Sequence, residues 1–475
     1  MHLKNITLKD FRCFDTLSID LHYPLTVLVA ENAGGKTSVL DGIAKGLAAW
    51  FTHLDSAEQR LPQFPLDDDD LRVTSAVNNR GREIAKLADA TCLSLAMDDN
   101  GSPLNWDIIH VLNDSVVVHR KHGESSLKSR ANRLRDAIHD GDDDIAIPVF
   151  AYYGIHRGHV TQEIPDRIHE PNIDYTRRLS SLVDALAPNL RDFSEMIRWF
   201  KEASLDELQW ERDHGPGGKH EGADARYLGA LPHVRRAFKA VFQDRVSDPR
   251  MDRVSKKFVV DFRGDDGKII PLRFDQLSQG YASVLALVLD LAQRMAVANP
   301  HFNAATKHDD QGRGDEILDP LSSPAIVLID EVDLHLHPSW QQRVLGDLMN
   351  AFPRAQFIVT THSPQVLTTV RSENIRVLGR DSDGRWQAGP PLQSPFARES
   401  KDALAYVMGV DPLPLKTDEQ RKFRETLRSY EQIVRDGCKD SEDGLRLRGE
   451  IDSAGYEIPA ADLALWEFLG KRKQD

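Results

Sequence analysis

The sequence predicts an α/β fold with mixed sheets, a helical subdomain inserted into it and a helical C-terminal tail. Three observations carry this. An apolar run at residues 25–29 leads through a loop ending Gly34-Gly35-Lys36-Thr37 into helical periodicity. A second apolar run, residues 325–329, ends on adjacent carboxylates, Asp330 and Glu331. Between them, residues 173–242 switch to a helical pattern. With 475 residues, the chain is longer than the ~250–300 at which a single core stops growing, so insertions or a second domain are expected. We divide it into a first lobe with the loop (1–160), the inserted helical subdomain (161–255), a second lobe (256–395) and the helical C-terminal region (396–475).

Residues 6–21 alternate apolar and polar as a half-buried strand does, and 25–29 read as a buried strand. From Thr37, the apolar residues Val39, Leu40, Ile43, Leu47 and Trp50 recur at helical spacing. An acidic loop at 67–70 precedes strand-like segments up to 118, a charged helix near 127–138 and a buried strand at 145–153. In the insertion, Leu179, Leu182, Val183, Leu186, Leu190, Phe193, Ile197 and Phe200 form an apolar helical face interrupted at Pro188, and a polar, glycine-rich segment occupies 214–222. Strands are expected at 258–262, 325–329 and 357–360, with a polar insertion at 307–316. After Val377 a hairpin turns at 381–384, and two helical stretches complete the chain.

Composition excludes several classes. The chain is 28% charged and 40% hydrophobic, as ordinary globular proteins are. Its formal charge of −14 argues against a wholly basic nucleic-acid-binding domain. Cys13, Cys92 and Cys438 are scattered without CxxC spacing, so neither a disulfide framework nor a zinc site is suggested. The start does not resemble a signal peptide, and no run of about 20 apolar residues is evident; a cytoplasmic protein without a membrane partner is expected.

The chemistry concentrates in three places. Residues 30–37, Ala-Glu-Asn-Ala-Gly-Gly-Lys-Thr, are a variant of the GxxxxGK[ST] phosphate loop. Backbone N–H groups of Asn32, Gly34, Gly35 and Ser38 and the helix N-terminus surround phosphates, Lys36 neutralises them, and the Thr37 hydroxyl can ligate magnesium. Two usual glycines are alanines here. A left-handed Ala33 would cost roughly 1–2 kcal/mol, so nucleotide binding is more strongly indicated than rapid turnover. Asp330, at a strand end, is suited to hold magnesium through water, and Glu331 to polarise an attacking water as general base. Leu277-Ser278-Gln279-Gly280 precedes a helix that Ser278 can cap, while Gly280 admits a phosphate to its positive end.

In this order, the motifs resemble those of the RecF/SMC/OLD group of ABC-type ATPases, with a phosphate loop, an LSxG signature and a Walker B strand. Leu8-Lys9-Asp10-Phe11-Arg12-Cys13-Phe14 resembles that group's opening strand and turn, which implies a nucleotide contact for Arg12. Residues 333–338 resemble its D-loop, and Thr361-His362-Ser363-Pro364 its switch-histidine segment. The resemblance implies ATP and Mg²⁺ as cofactors, His362 at the γ-phosphate, and Ser278 and Gly280 closing over ATP bound to a second protomer, in a homodimer or higher oligomer. Tyr152-Tyr153-Gly154-Ile155-His156-Arg157 lies where such ATPases carry the Q-loop but lacks the glutamine, which puts magnesium coordination from that lobe in doubt; the nearest, Gln162, lies beyond the strand.

The compact insertion, the YYGIHR segment and the helical tail most resemble the PtuA ATPases of Septu-type bacterial antiviral systems. That resemblance implies a sensor and scaffold controlling a partner HNH-type nuclease of the PtuB kind, with DNA reached through the complex. An OLD-like nuclease would need a Toprim carboxylate cluster; Asp381 and Asp383 are more economically a turn. A RecF-like DNA clamp would need a basic face, for which Arg130, Arg133, Arg135, Arg235, Arg236 and Lys239 are candidates, although a solvated helix face explains them as well. His335 and His337 lack the further ligands of a metal site.

Overall fold

The computed structural model describes residues 1–54, 61, 64–77, 83–112, 124–142, 145–157, 177–187, 193–215, 230–243, 246, 249–252, 257–264, 266–300, 306–307, 316–317, 319–410 and 417–474. Gln162, Pro188, Leu190 and most of the segments 214–222 and 307–316 lie outside them. The chain forms two compact units, Met1–Gly409 and Val410–Asp475.

The first unit opens with a hairpin, β1 (His2–Phe11) and β2 (Phe14–Asp20), followed by β3 (Leu25–Val29) and the helices Lys36–Leu47 and Ala49–Leu54. A small hairpin, β4 (Val73–Val77) and β5 (Glu83–Leu87), precedes β6 (Ala90–Asp99) and β7 (Ser102–Val111). Strands β2-β1-β6-β7 make one antiparallel sheet. Helix Glu124–His139 leads to β8 (Val149–Tyr153), and the insertion contributes helices Phe193–His214 and Ala230–Phe242. A three-stranded sheet of β9 (Arg250–Met251), β10 (Phe258–Arg263) and β11 (Ile269–Arg273) introduces helix Gln279–Ala298. After the short pair β12 (Thr306–Lys307) and β13 (Glu316–Ile317) come β14 (Ala325–Ile329), β15 (Ala355–Thr360), β16 (Ile375–Arg380) and β17 (Trp386–Gly389).

The central sheet has the order β17-β16-β3-β15-β14-β8. All neighbours are parallel except β16 and β17, which form the hairpin expected at 381–384. Strands β3, β8, β14 and β15 are buried along their whole lengths, which is why they read as continuous apolar runs. Helix Lys36–Leu47 packs between this sheet and the antiparallel one. Its Gly42 and Gly46 make that possible, since a Cβ at Gly42 would meet Leu8 and one at Gly46 the side chain of Leu95. Gln356, fully buried in β15, joins the two sheets: Leu3 N donates to its Oε1 at 2.7 Å and its Nε2 donates to Leu3 O at 2.8 Å. The β1–β6 register shifts between Leu3 and Asn5, beside that contact.

Several expectations are corrected. The apolar face drawn through 179–200 is not one helix. Residues Arg178–Leu182 form a 3-10 turn, because the buried Arg178 guanidinium donates to carbonyls of Ala298, Ile145 and Asp142; the next described helix is Phe193–His214. Residues 67–70 are not a free acidic loop but a 3-10 turn capped by Asp67, with Asp70 buried against Lys45. Pro338 does not open one continuous helix: Pro338–Gln341 and Val344–Ala351 are separate, broken at Arg343, which stacks on Trp340 and pairs with Asp347 at 2.6 Å. Helix Gln279–Ala298 is long and apolar enough to cross a bilayer, yet 94% of its apolar window is buried inside the unit, as a core helix is.

Among the described residues the tail holds four helices rather than two stretches: Ser400–Tyr406 in the first unit, then Asp418–Arg435, Glu442–Ser453 and Ala460–Gln474 in the second. Gly437 and Gly455 end two of them with φ of 75° and 73°. Tyr430, Val434, Leu447, Ile451 and Ile458 give the second unit a core of its own.

Candidate nucleotide-binding site

Strand β3 delivers the phosphate loop and helix Lys36–Leu47 begins at its end. Gly35 caps that helix with φ 80°, and a Cβ there would run into the Phe14 ring. At Gly34 a Cβ would lie 2.6 Å from that of Ala30. Both retained glycines are therefore sterically required. Of the two alanines, Ala30 is buried and is not among the left-handed residues, whereas Ala33 has φ 62° and carries the strain of roughly 1–2 kcal/mol. Lys36 Nζ donates to Ala30 O at 3.1 Å and Glu31 O at 3.3 Å. Burial lowers its pKa, opposed by the charges of Asp330, Glu331 and Asp333.

Opposite the loop, the end of β14 is organised by hydroxyls from two other elements. Thr37 Oγ1 donates to Asp330 Oδ2 at 2.8 Å, and Thr360 Oγ1 donates to Asp330 Oδ1 at 2.6 Å. The Thr360 hydroxyl also accepts from Glu331 N at 2.7 Å. Glu331 itself is left-handed, φ 46°. Asp333 Oδ1 accepts from Thr361 Oγ1 at 2.5 Å and from His362 N at 3.3 Å, so the loop after β14 holds the loop after β15. Thr360 and Asp333 escaped sequence reasoning as organising residues. The signal for Thr360 was a polar pair, Thr360 and Thr361, following the apolar run 357–359.

Arg12, left-handed at φ 49°, pairs with Asp41 at 2.5 Å and with Asp70 at 3.1 Å. Asp41 also accepts from Tyr152 Oη, and Tyr153 Oη donates to Asp290, each at 2.8 Å. The aromatic pair is thus buried core whose hydroxyls tie β8 to two helices, and burial pushes the Tyr152 hydroxyl's pKa well up.

Arg12, Asn32, Gly34, Gly35, Lys36, Thr37, Ser38, Asp330, Glu331 and His362 come together around one cleft of about 350 Å³, with Cys13 and Ala33. A second cavity of about 470 Å³, lined among others by Tyr152, Ile155 and His156, shares Thr37, Asp330 and Glu331 with it. Ser278 and Gly280 line neither. Ser278 caps helix Gln279–Ala298, accepting from Tyr281 N at 3.4 Å. Gly280 is pressed against the D-loop-like segment, where a Cβ would collide with the carbonyl oxygen of His335. His337 caps helix Pro338–Gln341 through Nδ1, which accepts from Ser339 N at 3.3 Å. Asp381 closes its hairpin turn, accepting from Asp383 N and Arg385 N at 2.9 and 2.8 Å.

A family model described as "AAA domain, putative AbiEii toxin, Type IV TA system" matches residues 25–368, more than half of the chain and nearly all of the cleft. The chain belongs to that family. It is similar to the Retron Vc95 probable ATPase of Vibrio cholerae serotype O1 biovar El Tor, 26% identical over 474 residues, spanning 93% of this chain and 85% of that protein. The Retron Ec83 probable ATPase of Escherichia coli is 26% identical over 439 residues, 80% of this chain and 71% of that protein. Septu protein PtuA of Bacillus mycoides (strain KBAB4) is 32% identical over 146 residues, 31% of this chain and 17% of that protein. The PtuA resemblance therefore holds over part of the chain. The similarity to the retron ATPases runs along most of it, a relationship the head motifs alone did not separate.

Proposed function

We propose that this chain is the ATP-binding switch subunit of a bacterial antiviral defence complex, in which ATP and Mg²⁺ held between two ABC-type heads control a nuclease supplied by a partner. The observation that carries it is the cleft in which residues just after β14 and β15 and the turn of the opening hairpin gather around the phosphate loop that follows β3. The donor set fits magnesium nucleotide. Thr37 Oγ1 and Asp330 Oδ2 lie 2.8 Å apart as adjacent oxygens, the few protein ligands a magnesium ion takes while keeping phosphate and water oxygens. When bound, the metal would neutralise the transferring phosphoryl group.

The chain's own residues do the rest. Lys36 turns from the loop carbonyls to the phosphates, Arg12 borders the cleft held by two carboxylates, Glu331 accepts a proton from water, and His362 stands at the γ-phosphate end. Ser278 and Gly280, outside the cleft, act on nucleotide bound to a second copy. The relatives named as a Septu protein and as a retron probable ATPase support the defence role; in this reading a PtuB-like HNH partner brings the complex to DNA. A RecF-like clamp is less favoured. Arg130 is paired with Asp99, Arg235 with Glu207 and Arg236 with Asp319, which consumes much of the candidate basic face.

Replacing Lys36 with Ala is expected to weaken ATP binding by about 2–3 kcal/mol, roughly 30- to 150-fold. Calorimetric titration of the purified chain measures it, and unaltered affinity removes the phosphate-loop assignment. Native purification with the product of the neighbouring gene, then nuclease assay with and without ATP, tests the switch. Duplex DNA binding by the isolated chain without any nuclease partner would favour the clamp instead.

A further inference from the structure

Glu331 must present its carboxylate from a left-handed backbone, a conformation that persists only where the surroundings enforce it. One partner is Thr360, whose hydroxyl accepts from Glu331 N. The other lies behind the strand end. Arg157, one turn beyond β8, forks its guanidinium across consecutive carbonyls: Nη1 donates to Asp330 O and Nη2 donates to Glu331 O at 2.6 Å. These carbonyls belong to the two peptide planes flanking the Glu331 Cα. A rigid planar fork bonded to both fixes the torsions between them, which a flexible ammonium does not. Nη1 also donates to Gly154 O at 3.1 Å, anchoring the fork to its own turn. The Arg157 carbonyl in turn accepts from Ser283 Oγ at 3.4 Å, in the helix that Ser278 caps.

Arg157 lines neither cavity, so it acts through the backbone of Glu331 and not on the nucleotide. Burial lowers its pKa to about 10, with Asp330, Asp333 and Glu331 pulling it back up, and it stays charged at neutral pH. We propose that Arg157 is a positioning residue for ATP hydrolysis: it holds Glu331 in its left-handed conformation and, through Ser283, links that conformation to the signature helix. The segment that lacks the Q-loop glutamine thus connects the signature helix to the general base by another route. The inference rests on the proposed role of Glu331.

The test uses the full chain carrying Arg157→Met, Arg157→Lys, Glu331→Gln and the Met/Gln double substitution. ATP affinity is read by calorimetry, kcat by phosphate release and folding by thermal melting. Arg157→Met is expected to lower kcat ~10- to 100-fold, the scale of a small misplacement of a catalytic group, with ATP affinity unchanged. Arg157→Lys should recover part of the loss. In the Glu331→Gln background, Arg157→Met should cost nothing further, because it acts only through Glu331. Wild-type kcat in Arg157→Met overturns the proposal. So does a parallel fall of kcat, affinity and melting temperature that Arg157→Lys does not relieve, or a double variant whose losses multiply. Undiminished turnover in Glu331→Gln would sink the base assignment itself, an outcome distinct from failure of Arg157 alone.

Discussion

Four of the residues lining the cleft are left-handed: Arg12, Ala33, Gly35 and Glu331. Only one of them is a glycine, and that shapes what substitution can do. Ala33 adopts φ 62° with a methyl group that glycine would lack. Ala33→Gly removes roughly 1–2 kcal/mol of strain but adds freedom to the unfolded chain worth about 0.4–1 kcal/mol. The net expectation is a gain of about 0.5–1 kcal/mol, read in urea unfolding; a destabilised variant would show that the methyl makes a packing contribution larger than its strain. The sequence singled out Ala33 but not whether it would be left-handed, because that depends on how the loop closes over Glu31, where Gly34 N donates to Glu31 O at 3.0 Å. Arg157 was unreadable for a similar reason. Its partners are backbone carbonyls, which carry no residue identity.

At the scale of elements, strands buried on both faces were legible, although the reading at 145–153 starts four residues ahead of β8 and that at 357–360 starts two residues inside β15. Residues 325–329 were bounded as the strand now stands, and 25–29 likewise. Helical spacing failed where a buried polar group redirects the chain, as Arg178 does at 178–182. Gln356 is the other such group, a lone amide inside the buried strand β15 that joins two sheets by paired hydrogen bonds. Gln356→Leu keeps the volume but leaves Leu3 N–H and C=O without those partners. We expect a loss of about 2–4 kcal/mol from two stranded backbone groups, measured by chemical denaturation. A neutral result would mean that β1 repairs its register at Leu3–Asn5.

For the whole molecule, the lining of the cleft lies entirely within Met1–Gly409, and Val410–Asp475 has a separate apolar core. A chain ended after Gly409 is therefore expected to melt in one cooperative transition and to bind ATP within ~3-fold of the full chain, since independent cores fold independently. Loss of both properties would show that the second unit completes the first. Order of motifs sufficed to anticipate this head, because the phosphate loop and the paired carboxylates sit at strand ends of one sheet. What brings them together, hydroxyls at Thr37 and Thr360 shared by one carboxylate, is visible only in three dimensions.

The two glycines of helix Lys36–Leu47 have a mechanical corollary. With glycine at these two positions, the backbone of the phosphate-loop helix lies close against Leu8 and Leu95 of the antiparallel sheet. Sheet and helix then have little room to slide, and a force applied to either shifts both as one lever. Enlarging Leu95 is therefore expected to displace the helix whose first turn carries Lys36 and Thr37, so that a change deep in the antiparallel sheet reaches the proposed phosphate site.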